Sequence, residues 1–165
     1  MATPTSLPAS FSAGAVLTAA QMNDLRGAFR VLQVVTSDTS TVQTTSGTTF
    51  VDSGLSAAIT PSATSSKILV VAFVGGGKVA AINTGIAARL VRGSTALTTF
   101  SQYHGFTSAS NDTNFFVGSV VWLDSPATTS STTYKVQFAR NAGSGTVEVQ
   151  NNSTTSTICL MEISA

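Results

Sequence analysis

The chain has 165 residues, of which only 9% are charged, and a formal net charge of +1. This balance gives no electrostatic footprint for a nucleic acid or an anionic membrane, so we expect neither as a partner. One His, one Cys and few, scattered carboxylates leave the common catalytic and metal-binding arrangements incomplete, and we therefore expect no enzyme, no metal and no cofactor. The high content of Ser and Thr, interleaved with short apolar runs, indicates an all-β protein with polar outer faces.

Residues 1–29 are predicted to form an extended N-terminal arm that ends in one short helix. Pro4 and Pro8 exclude a regular helix at the start. The segment Thr18-Ala19-Ala20-Gln21 has the form of a capping box, from which a helix should run to about Ala28. So short a helix needs a docking surface, either on the chain's own β domain or on a neighbouring subunit or larger assembly. The predicted anchoring residues are Phe11, Leu17, Met22, Leu25 and Phe29.

Neither a secretory signal nor a membrane span is expected. The N-terminus shows no basic region followed by an apolar core. The best apolar run, Ile68 to Val74, has the length of a strand and not of a bilayer span, so we expect no membrane insertion.

The pattern of residues 30–165 predicts a β domain, because short apolar segments are separated by Gly, Ser, Asn or Pro. No helical pattern lies between these segments, which excludes a parallel α/β architecture and favours a β-sandwich or jelly roll. Tyr134, Val136 and Phe138 alternate with polar residues and should face the core. The predicted strands are Val31–Thr36, Thr48–Asp52, Leu55–Thr60, Lys67–Val74, Gly85–Arg92, Thr95–Gln102, Phe115–Leu123, Thr132–Ala139, Thr146–Gln150 and Thr157–Ile163.

Two of these strands, Lys67–Val74 and Phe115–Leu123, are apolar on both faces. A single sandwich has only one interior, so a strand of this kind needs a second cover, and a subunit interface is its simplest source. We therefore expect a homo-oligomer. The predicted interface residues are Phe115, Phe116 and Val117.

An aromatic-rich segment from Tyr103 to Phe116 is the candidate ligand site, predicted to be a loop. Its rings could stack on a sugar while its amides bond the sugar hydroxyls. His104 could alternatively act as a ligand or base, but a polar loop histidine is the expected role, because the sequence has no second histidine. The predicted contact residues are Tyr103, His104, Phe106 and Asn111.

The run Gly75-Gly76-Gly77-Lys78 superficially resembles a phosphate loop, but it lacks the required spacing and has Val79 where a hydroxyl is needed. We expect it to be a flexible turn after a core strand. Cys159, the single cysteine, is expected to be a small hydrophobic residue in a strand.

The segment from Leu7 to Arg26, with Ala13-Gly14-Ala15-Val16-Leu17-Thr18-Ala19-Ala20-Gln21-Met22-Asn23 at its centre, resembles the N-terminal segment of many tailed-bacteriophage virion proteins. In those proteins the motif AG-x-x-LTAA-x-(M/L)N precedes a fibre or decoration domain. The β domain is similar to the same group over residues 48–52, 65–70, 89–93 and 123–129.

This resemblance implies a trimeric β-rich module that is attached through its N-terminus and has no catalytic residue. It predicts a non-enzymatic virion structural protein, assembled in the host cytoplasm, with other virion proteins as partners. The expected position is the tail, as a small fibre or minor tail subunit whose exposed domain could contact a glycan on the host surface. The alternative is a capsid decoration protein, fixed to the head by the same arm.

Overall fold

The computed structural model describes residues 30–79, 81–108 and 114–164, together with positions 14, 16, 18 and 19. The side chains of Ser101, His104, Asn114 and Phe115 are not part of this description. The predicted anchoring residues lie outside the described residues, and so does Asn111 of the predicted ligand site. Nearly all of the predicted helix also falls outside them.

Nearly all of the regular secondary structure among the described residues is β-strand. The short connections contain a single 3-10 turn, at Asn151–Ser153 in the part of the chain described. The strands are β1 (Val31–Thr39), β2 (Gln43–Thr45), β3 (Val51–Ile59), β4 (Lys67–Val79), β5 (Gly85–Arg92), β6 (Thr95–Phe106), β7 (Asn114–Asp124), β8 (Thr132–Ala142), β9 (Val147–Val149) and β10 (Ser156–Ile163).

The strands form two antiparallel sheets that pack face to face. In the first sheet β1, β10, β4 and β7 lie side by side, β9 pairs with the end of β4, and β2 pairs with β9. The second sheet has the order β3-β8-β5-β6. The longer strands therefore have the two-sheet, Greek-key arrangement of a jelly roll, and the predicted all-β sandwich is confirmed.

The core lies between the sheets and is built from alternate residues of the long strands. Tyr134, Val136 and Phe138 of β8 are fully buried, as their alternation with polar residues predicts. The first sheet contributes the facing layer from β4 and β10. The largest buried apolar side chains of the core are Leu55, Ile59, Ile68, Val70, Ile86, Leu90, Tyr134, Phe138, Ile158 and Leu160.

The glycine run does not form the predicted turn, because Gly75 to Lys78 lie inside β4, which continues to Val79. The register of β4 against β7 shifts between Val74 and Gly77, and Gly76 has a φ of 59°. A Cβ on Gly75 would overlap Thr154. The glycines therefore serve a strand bulge and a close approach of neighbouring groups.

Other strand boundaries also differ from the prediction. The segments predicted as two strands over residues 48–60 form the single strand β3, interrupted by a bulge at Gly54, which has a φ of 79°. The short polar strand β2 was not predicted. The predicted loop from Tyr103 to Phe116 is too long, because Tyr103 to Phe106 belong to β6 and β7 begins at Asn114. The strand predicted to start at Phe115 is confirmed. His104 is therefore a strand residue and not the predicted loop histidine.

Candidate functional site

The outward side of the first sheet carries a largely apolar surface, which we call the outer apolar face. Antiparallel register aligns its side chains in rows across four strands. One row runs from Val34 on β1 through Met161 and Leu69 to Leu123 on β7. The members of the face are Val34, Leu69, Val71, Phe73, Val117, Val121, Leu123, Cys159 and Met161.

The side chains of this face are exposed at its β1 and β7 edges and mostly half-buried on β4 and β10. Val34 is 55% exposed, Phe73 is 41% exposed, and Val121 and Leu123 on β7 are 67% and 58% exposed. A contiguous apolar patch of this kind is uncommon on a protein that remains monomeric, and typically marks an interaction surface.

The charged residues on the outward side of this sheet lie at its ends. Lys67 lies at one end, where its Nζ donates to Ser125 Oγ at 2.7 Å. Asp38, on β1, lies at the opposite end of the outer apolar face. Lys78 and Glu148 form an ion pair with an N–O distance of 3.4 Å. The middle of the face is therefore apolar. Among the described residues, Lys67 and Asp38 lie at its opposite ends, each without an ion-pair partner on the face.

The three predicted interface residues fall in different environments. Val117 belongs to the outer apolar face and is 59% exposed. Phe116 points between the sheets, where it packs against the chain's own core, and the side chain of Phe115 is not described. Sequence reasoning found the apolar character of β4 and β7, but it missed the contributions of Val34 and Met161, which become visible only when the strand order is known.

Two predicted ligand contacts, Tyr103 and Phe106, come together at an open pocket of about 600 Å³ near the end of the second sheet. Their ring centroids are 5.8 Å apart and the ring planes cross at 78°, an edge-to-face arrangement. Tyr103 is 62% exposed and Phe106 is 40% exposed. The other lining residues, Asn83, Ala142 and Gly143, were not predicted from the sequence.

A strand bulge presents Tyr103 at this pocket. Ile86 on β5 pairs with Gly105 on β6 and Ala88 pairs with Ser101, so the residues from Gln102 to His104 all oppose Ala87. Such bulges turn side chains out of the regular alternation and are common beside functional sites. The Asn141 amide donates to the Gln102 carbonyl and ties this bulge to β8.

The turn beside the pocket is fixed by two buried threonines, Thr84 and Thr107. The Thr107 backbone N–H donates to the Thr84 carbonyl at 3.1 Å, and the Thr107 hydroxyl donates to the Ala81 carbonyl. Thr84 Oγ1 in turn accepts from the Gly145 N–H at 3.2 Å. Gly143 has a φ of 71°, and a Cβ there would overlap the Asn83 carbonyl. The turn that carries Asn83 is therefore closely held.

The buried carboxylates serve the sandwich and not this pocket. Asp124 Oδ2 accepts from Arg92 Nη1 at 2.7 Å and from the Tyr134 hydroxyl at 2.6 Å. Burial of Tyr134, together with the neighbouring Asp124 carboxylate, raises the pKa of the Tyr134 hydroxyl above its ordinary value of 10.0. Glu162 is fully buried and accepts hydrogen bonds from Ser62 and Ser66.

Among the described residues, no three His, Cys, Asp or Glu side chains lie together as a potential metal site. The same residues include no helix with the length and apolar character needed to cross a membrane. No protein-family model matches the sequence, and no curated protein is significantly similar to it.

Proposed function

We propose that the chain is a non-enzymatic structural subunit of a tailed-bacteriophage particle, a small tail fibre or minor tail protein. It associates with copies of itself through the outer apolar face and is attached to the particle through residues 1–29. The observation that carries the self-association is the row of exposed and half-buried apolar side chains across β1, β10, β4 and β7.

The energetic argument begins with the exposed aliphatic groups on β7. Full burial of a Val or Leu side chain is worth about 1.5–3 kcal/mol relative to exposure, so an assembly that covers Val117, Val121 and Leu123 has a substantial driving force. Part of this gain offsets the entropy lost on association.

A second copy of the chain is the occupant that the charges favour. The face carries Lys67 at one end and Asp38 at the other, so neighbouring copies can oppose unlike charges while their apolar centres meet. A strongly charged partner would find no matching patch on this surface. The trimeric state and the particle itself are proposed from the resemblance of the N-terminal segment.

The jelly roll agrees with this role but does not by itself specify it. Jelly rolls are found in viral capsid proteins and in lectins, among other classes. Fold analogy alone cannot assign a function, so the surfaces and the N-terminal motif support the proposal.

Quantitative mass spectrometry of purified particles tests the assignment. A handful of copies per particle is expected for a tail or vertex protein. An amount close to that of the major capsid protein would instead support the decoration protein, which the same N-terminal arm would fix to the head. Absence of the chain from purified particles would contradict both positions.

The role of residues 1–29 is tested by removing them. We expect the truncated chain, supplied during infection, to be missing from purified particles while the full chain is incorporated. Particles that carry both forms equally would contradict attachment through this segment.

A further inference from the structure

We propose that the pocket lined by Asn83, Tyr103, Phe106, Ala142 and Gly143 binds a neutral carbohydrate. The site lies within a single chain, so the proposal does not depend on the particle assignment. On a phage particle, the natural ligand of the site would be a glycan on the host surface. A binding measurement on the purified protein can therefore fail or succeed independently of the particle experiments.

The aromatic rings provide the apolar part of the site. Tyr103 and Phe106 meet edge to face at 5.8 Å, which leaves ring surface of both residues open to a ligand. The C–H groups on one side of a pyranose ring form a small apolar surface that packs on an aromatic face. The open pocket beside the two rings has room for such a sugar ring.

The polar groups provide hydrogen bonds for the hydroxyls. The Asn83 amide and the Tyr103 hydroxyl are exposed, and neither forms a hydrogen bond within the described part of the chain. An amide both donates and accepts, which matches a sugar hydroxyl that does the same. The five lining residues carry no charge, so the pocket favours a neutral sugar over an anionic one.

The backbone holds these groups in place before a ligand arrives. Gly85 lies under both rings, and a Cβ there would be 3.1 Å from Tyr103 Cδ1 and 3.4 Å from Phe106 Cδ2. Thr84 and Thr107 fix the adjoining turn through buried hydrogen bonds. A preorganised site loses less conformational entropy on binding, which favours measurable affinity for a small ligand.

The test is saturation-transfer NMR on the full chain with methyl β-D-glucopyranoside and methyl β-D-galactopyranoside at millimolar concentration. N-acetylneuraminic acid serves as the anionic comparison. We expect transfer to the ring C–H protons of at least one neutral glycoside, and weaker transfer to the acid.

Variants then locate the binding. Tyr103→Ala should weaken affinity by about tenfold, as expected for loss of an aromatic anchor. Asn83→Ala should weaken it by about threefold. Tyr103→Phe, which keeps the ring and removes the hydroxyl, should lie between wild type and Tyr103→Ala. Val51→Ala, which removes an exposed apolar side chain from β3 outside the pocket and outside the outer apolar face, is the matched control and should bind like wild type.

Three results would overturn the proposal. The first is no transfer to either neutral glycoside. The second is binding that Tyr103→Ala leaves unchanged. The third is binding of the anionic aromatic dye anilinonaphthalene sulfonate without binding of either glycoside, lost in Tyr103→Ala, which would identify the pocket as an apolar docking site.

Discussion

The ring of Phe116 on β7 lies directly against the backbone of Gly77, its register partner on β4, so that a Cβ on Gly77 would overlap the ring. Gly105 on β6 meets the other part of the same ring just as closely. Phe116 therefore spans the side of the sandwich where β7 of the first sheet approaches β6 of the second, and both glycines make room for it.

Gly77→Ala should destabilise the protein by about 1–3 kcal/mol, because the added methyl group overpacks against Phe116. Chemical denaturation measures the change. The matched control is Gly47→Ala, where the nearest atom to an added Cβ is 3.5 Å away and little change is expected. In a Phe116→Ala background the same Gly77 substitution should reduce stability much less. An equal loss of stability in both backgrounds would contradict the contact between Gly77 and the Phe116 ring.

Glu162 should make the stability of the sandwich fall in acid. Burial alone would raise its pKa, but the hydrogen bonds from Ser62, Ser66 and Gln33 to the carboxylate outweigh burial and lower the pKa below 4.5. A carboxyl group whose pKa is lower in the folded state stabilises the fold at pH values above its unfolded pKa. That stabilisation is lost as the pH falls through the folded pKa.

Glu162→Gln removes the charge while keeping the shape of the side chain. We expect it to cost about 1–3 kcal/mol at pH 7, because hydrogen bonds to the charged group weaken and the new amide N–H groups face N–H donors from Gln33 or the Ser62 backbone. The difference between variant and wild type should shrink as the pH falls below 4.5. Denaturation curves over this pH range provide the measurement, and a difference that is constant with pH would contradict the role of the charge.

Tyr134 should remain un-ionised in the folded protein at alkaline pH, because burial and the nearby Asp124 carboxylate both oppose the phenolate. A raised folded pKa stabilises the fold below pH 10.0, and this contribution is lost as the pH rises above it. In the Tyr103→Phe variant Tyr134 is the single tyrosine. Its absorbance change should therefore coincide with unfolding measured by circular dichroism, and ionisation near pH 10.0 in the folded state would contradict the burial.

Val121→Lys should weaken self-association without unfolding the chain, because the side chain is 67% exposed in the isolated subunit and would be covered in the assembly. Ala58→Lys, at an exposed position on β3 of the other sheet, is the matched control. A variant at Phe116 would be less informative, since a charge there would disturb the chain's own core. Equal association of both lysine variants would contradict the assigned face.

The sequence pattern predicts the class of fold because alternation is a local property. Tyr134, Val136 and Phe138 show their buried face within a single strand. The outer apolar face is different, because Val34 and Leu123 belong to strands that are distant in the sequence and become part of one row only through β10 and β4. Pairing between distant strands leaves no local signal in one sequence.

The pocket could be predicted in part for the same reason. Tyr103 and Phe106 are close in the sequence, and the structure brings their rings together. Asn83 and Gly143 lie in turns that follow other strands, so their place at the pocket could not be predicted. The bulge opposite Ala87 could not be predicted either, because it depends on strand register. The glycine run was misassigned because glycines typical of turns also occur where Thr154 or Phe116 approaches a strand closely.

Sedimentation velocity of the full chain over a range of concentrations tests most directly whether the outer apolar face joins copies of this protein. We predict a species larger than the 16.8 kDa monomer, which Val121→Lys shifts to the monomer and Ala58→Lys leaves intact. A wild-type chain that sediments as a monomer at every concentration would contradict assembly through this face.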